Sequence, residues 1–127
     1  MSIAFTEHPE ERYVEVVIDG AIPGRDLADV MTRARAFAEM HGQISVLKCV
    51  RRLGFVNPLT ALPHAVTGLG MLGRIRRVAV VTDLRGLAPL TRASGLLSPA
   101  EIRQFTMSQD LAARAWLASP DTAKHPV

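Results

Sequence analysis

Arg76-Arg77-Val78-Ala79-Val80-Val81-Thr82-Asp83 opens the stretch that decides the fold, which runs on to Leu117. Val78 to Val81 is a short unbroken apolar run rich in β-branched residues, the pattern of a strand covered on both faces, and it ends at Thr82-Asp83. A helical segment interrupted by Gly and Pro follows. Then come Ser98-Pro99-Ala100-Glu101, a short strand from Ile102 to Thr106, and a last helix from Ser108 to Leu117. Strands alternating with helices in this order predict a small α/β sandwich. The stretch contains no catalytic constellation.

Upstream, Ile3 to Thr6 reads as a short strand, His8-Pro9-Glu10-Glu11 as a polar turn, and Tyr13 to Asp19 as a strand closed by Gly20. The two strands predict an antiparallel hairpin. Leu27, Val30, Met31, Ala34, Phe37, Ala38 and His41 recur at helical spacing, with Asp29, Arg33 and Arg35 on other faces. Asp26 suits the positive end of that helix dipole, and Gly42 supplies a left-handed stop. A helix with a single apolar stripe packs on a sheet. Ile44 to Val50 follows at once as a strand with Val46 and Leu47 adjacent, so both of its faces are expected to be covered. Strand, crossover helix and parallel strand is the unit this implies. Ser119-Pro120 ends the last helix. The expected organisation is one domain over residues 1–118 and a frayed tail over 119–127.

At 127 residues the chain is long enough for one domain burying roughly two-thirds of its unfolded surface. Cys49 is the only cysteine, which excludes an intrachain disulfide and a cysteine-built metal site. Met1 to Glu7 lacks the basic and apolar regions of a signal peptide, so a cytoplasmic protein is expected. Residues 1–50 hold five Lys+Arg against eight Asp+Glu, a net of −3, whereas residues 51–118 hold nine Arg against three acids, a net of +6. That asymmetry fits an electropositive face for phosphate-bearing ligands or an anionic membrane, and equally a compositional bias, since thirteen of the fifteen basic residues are Arg.

From Leu53 to Gly73 no residue is formally charged over 21 positions, with Arg51 and Arg52 before the segment and Arg74, Arg76 and Arg77 after it. Asn57, Pro58, Thr60, Pro63, His64, Thr67 and four glycines rule out a membrane span. The segment reads as a loop plus one helix of nearly all-round low polarity, which must be covered on its outer face as well. A second subunit, a hydrophobic ligand or a membrane surface would each cover it. Phe55, Leu59, Leu62, Val66, Leu69 and Met71 form the candidate apolar surface, with Arg51, Arg52 and Arg74 as an anion-facing rim.

The remaining chemistry is sparse. His8, His41, His64 and His125 have no metal-ligand spacing. Cys49 lies in an expected central strand, where cysteine behaves as a small hydrophobe. Gly68-Leu69-Gly70-Met71-Leu72-Gly73 spells a dinucleotide-like pattern but precedes a strand instead of following one. Ser98-Pro99-Ala100-Glu101 has the form of a capping box, Ser108 with Asp110 caps the last helix, and Trp116 is expected in the core. Asp83 ends a parallel strand, beside which Arg51, Arg52 and Arg85 could meet to bind an anion or form a solvated rim. Six aromatic residues and no recognition motif argue against nucleic acid as a partner.

The order of elements, and within it Arg76 to Asp83, Leu97-Ser98-Pro99-Ala100-Glu101-Ile102-Arg103-Gln104-Phe105 and Ala112-Ala113-Arg114-Ala115-Trp116-Leu117, resembles the SpoIIAA-like proteins, a family grouped with STAS and Sec14-type domains. The expectation is an α/β, STAS/SpoIIAA-like fold with a mixed four- to five-stranded sheet packed with about four helices. The resemblance also implies non-enzymatic roles and binding of lipids or other apolar molecules, at a membrane surface among other places. Where such proteins often carry an acidic residue near the end of the third strand, this chain has Lys48-Cys49. STAS anti-sigma-factor antagonists carry a phosphorylated Ser at the start of the second helix. Here that region reads Asn57-Pro58-Leu59-Thr60, and Thr60 is the nearest hydroxyl, in a context that differs.

Two functions follow as expectations. The first is a non-enzymatic module, without a cofactor, that binds a small apolar or amphipathic ligand as a homodimer with peripheral membrane contact. The second is a protein-interaction module of the anti-sigma-factor-antagonist type, regulated by phosphorylation at Thr60.

Overall fold

The computed structural model describes residues 3–21, 24–54, 72–84 and 101–119. Strand β1 (Ile3–His8) pairs antiparallel with β2 (Tyr13–Gly20), with Ile3 opposite Ile18 and His8 opposite Tyr13. Arg12 ends the connecting turn at a φ of 57° and its carbonyl accepts the Ser45 N–H at 3.0 Å, which ties the turn to the next strand but one element away. Helix α1 (Gly24–His41) buries Val30, Ala34, Phe37 and Ala38, the stripe expected from their spacing. It stops at Gly42, whose φ of +81° is a conformation L side chains rarely adopt, and the Gly42 N–H closes on the Ala38 carbonyl at 2.8 Å.

β3 (Ile44–Leu53), β4 (Ile75–Thr82) and β5 (Glu101–Phe105) complete a five-stranded sheet in the order β1-β2-β3-β4-β5. Only β1 is antiparallel; β2 through β5 are parallel. A 3-10 turn (Met107–Gln109) then leads into α2 (Asp110–Ala118). Because successive strand residues face opposite sides, β3 divides its side chains between two layers. Leu47 and Cys49 meet Ala79, Val81, Ala113 and Leu117 beneath α2. Ile44 and Val46 meet Val14, Ala34 and Phe37 beneath α1, and Val50 joins Ile3, Ile18 and Val30 on that same side. The sheet is therefore sandwiched between α1 and α2.

A β-bulge in β4 fixes α2. Ile44 faces Ile75 but Val46 faces Val78, so Arg76 and Arg77 together stand opposite the single residue Ser45. Both arginines consequently reach the same helix end. Arg76 Nη2 donates to the carbonyls of Leu117 (2.7 Å) and Ser119 (3.2 Å), and Arg77 Nη1 donates to the Trp116 carbonyl and the Ser119 hydroxyl. These carbonyls are among the last of the helix, which lack intrahelical donors and carry the negative end of its dipole. Arg77 is 1% exposed, and its Nε also meets Glu101 Oε1 at 3.4 Å.

Several sequence expectations are corrected. The described residues hold two α-helices, not about four; the other two helical expectations fall on residues 55–71 and 85–100, outside the described residues. β3 continues three residues past Val50, because its ladder with β2 runs on to Leu53 opposite Gly20. Glu101 does not close a capping box. It opens β5 and pairs with Arg77. The turn before α2 is held by Asp83, whose Oδ1 accepts the Met107 N–H at 2.9 Å, and by Gln109, whose Oε1 accepts the Thr106 N–H at 3.0 Å, so the cap expected from Ser108 with Asp110 is made by other residues. Trp116 is half-buried, not central: its ring lies 5.0 Å from the Arg77 guanidinium and 5.1 Å from that of Arg103.

Candidate functional site

The middle of the sheet on the α1 side carries the least expected side chain of the chain. Alternation along β3 places Val46, Lys48 and Val50 on that side, and the ladders set Val16 of β2 and Val80 of β4 on either side of Lys48. Four valines thus surround a primary amine on the central strand of five. Val50 and Val80 are buried, yet Lys48 is exposed to solvent. Burial nevertheless holds its pKa below the ordinary lysine value. The strands and buried valines at the base of the side chain supply that desolvation. Among the described residues no carboxylate forms an ion pair with Lys48. An ammonium in that position can hold an anion.

The arginines expected to form one rim are not brought together. Arg51 and Arg52 lie at the carboxyl end of β3, whereas Arg74 sits in the 3-10 turn before β4. β3 and β4 run parallel, so the two positions are at opposite ends of the sheet, about 25 Å apart at ~3.3 Å per residue. Arg74 and Arg51 are exposed, and Arg52 is engaged by Asp19 through Nε and Oδ1. Phe55, Leu59, Thr60, Leu62, Val66, Leu69 and Met71 lie outside the described residues, as do His64 and Arg85. Asp83 is occupied in holding the turn before α2.

The α2 side carries a polar network. Glu15 accepts from Arg114 Nη1 at 2.9 Å and lies 2.9 Å from His8 Nε2, while Arg114 Nε reaches Asp110 at 2.9 Å and Nη1 reaches the Tyr13 hydroxyl at 3.2 Å. The Arg114 hydrogen bond holds the Glu15 pKa below the usual carboxylate range, against the opposing effect of burial. That carboxylate is a poor base. Cys49 is buried, with its sulfur 3.8 Å from that of Met107, and burial pushes its thiol pKa up despite the nearby Arg51. It packs as a hydrophobe, as its strand position implies. The described residues contain no group of His, Cys, Asp and Glu arranged to hold a metal ion.

The SpoIIAA-like family model matches residues 13–118, from β2 through α2. The chain belongs to the SpoIIAA-like family. A solved structure of similar fold, an uncharacterized protein of the DUF3478 family with a SpoIIAA-like fold from Shewanella loihica PV-4, aligns over 91% of each chain with a TM-score of 0.69 and 20% identity. At that identity the likeness speaks for the fold alone. No curated protein matches the chain.

Lys48 was not singled out by sequence reasoning as a site of this SpoIIAA-like domain, although a signal was available. It is one of two lysines in a chain with thirteen arginines, and it is the one charged residue from Ile44 to Val50. A strand read as covered on both faces leaves such a charge to be explained.

Proposed function

We propose that this SpoIIAA-like domain is a non-enzymatic module that binds a small apolar or amphipathic ligand on the α1 side of its sheet. The observation that carries this reading is Lys48, an ammonium with no ion-pair partner among the described residues, standing between Val16 and Val80 on the central strand. An apolar surface with a single charge is chemically matched to a molecule that is mostly hydrocarbon and bears one polar group. Native mass spectrometry of the purified protein, followed by organic extraction, tests it: a retained lipid or fatty acid is the expected result. Protein that neither retains nor takes up such molecules argues against the reading.

Within the same proposal the protein is a cytoplasmic homodimer with peripheral membrane contact. The outward side of α2 favours the dimer, since Leu111 is 81% exposed and Ala112, Ala115 and Ala118 beside it are uncharged and exposed. Sedimentation of wild type against Leu111→Asp measures this, a dimer being expected only for the wild type. Exposed Arg51 favours contact with anionic surfaces, and loss of liposome binding in Arg51→Glu is the expected outcome. No helix among the described residues is long and apolar enough to cross a membrane.

A further inference from the structure

We draw no further inference here: the strongest candidate, the outer edge of β5, where Arg103 and Gln104 are exposed, carries nothing, because nothing in the structure shows what covers that edge.

Discussion

Arg114 on α2 reaches Glu15 on β2, Nη1 to Oε1 at 2.9 Å, joining residues 99 positions apart in the chain. Glu15 is 19% exposed at its side chain and Arg114 30%, so the pair is shielded enough for its charge-assisted bonds to count. The bond holds the last helix over β2, on the far side of the sheet from α1.

A pH dependence follows. The Glu15 pKa is depressed in the folded protein by the Arg114 hydrogen bond, so its contribution to stability is fully present above the ordinary value of 4.5 and is lost as pH falls through the depressed value. Arg114→Met should lower stability by about 1–2 kcal/mol at neutral pH. Urea denaturation at a series of pH values should show the two proteins converging in acid; a gap that stays constant down to low pH would exclude Glu15 as its source.

Arg77→Met should be among the costliest substitutions. It removes the Arg77 bonds to the Trp116 carbonyl and to the part-exposed Glu101, a loss of about 1–3 kcal/mol. Lysine should recover little, because one ammonium cannot serve Glu101 and the helix end together as a guanidinium fork does. Equilibrium denaturation followed by Trp116 fluorescence reports both stability and the ring's surroundings, since Arg77 lies over that ring.

Two glycines should respond differently to alanine. At Gly42 an added Cβ meets nothing within 4 Å, so the cost is the left-handed backbone alone, about 1–2 kcal/mol. At Gly54 the Cβ would fall 2.5 Å from the Ala21 nitrogen and 2.9 Å from the Gly20 carbonyl carbon, and backbone cannot swing aside. Gly54→Ala should therefore break the hydrogen bond from the Gly54 N–H to the Gly20 carbonyl, now 3.0 Å, and unfold at lower denaturant than Gly42→Ala. Equal midpoints for the two variants would contradict this.

Lys48 gives a second pH dependence, of the same sign as that of Glu15 but in the alkaline range. Its folded pKa lies below the ordinary 10.5, so between the two values the unfolded chain binds more protons and stability rises with pH. Lys48→Met should be more stable than wild type near neutrality, with the difference shrinking as pH approaches the ordinary lysine value. Parallel denaturation curves across that range, with an unchanged gap, would count against desolvation at Lys48.

Much of the fold was legible because periodicity reports burial directly. The stripe Val30, Ala34, Phe37, Ala38 gave α1, Gly42 gave its end, and Val46 beside Leu47 gave a strand with two covered faces. Partners distant in sequence were not legible. Arg77 reads only as one of the basic residues after the uncharged segment, and its burial depends on carbonyls 39 and 42 positions onward. Arg51 and Arg52 fall past the strand end expected at Val50, but a ladder extends as far as its neighbour pairs, and β2 pairs to Gly20. Trp116 was misread through size: the helical turn that buries Ala113 and Leu117 puts the residue before Leu117 on the flank, where two arginines flank it. Of the candidate site, the basic residues were visible but their separation was not, since only the parallel pairing of β3 and β4 puts Arg74 at the other end. Lys48 escaped notice because its meaning lies in Val16 and Val80 on neighbouring strands.

The strand order β1-β2-β3-β4-β5 has a consequence for how the protein is made. Each strand emerging from the ribosome finds its pairing edge already exposed by the strand synthesised just before it. No later segment has to be threaded between two strands that have already joined. Assembly can advance in one direction, like courses of brick, with β5 laid last and α2 closing the side that α1 leaves open.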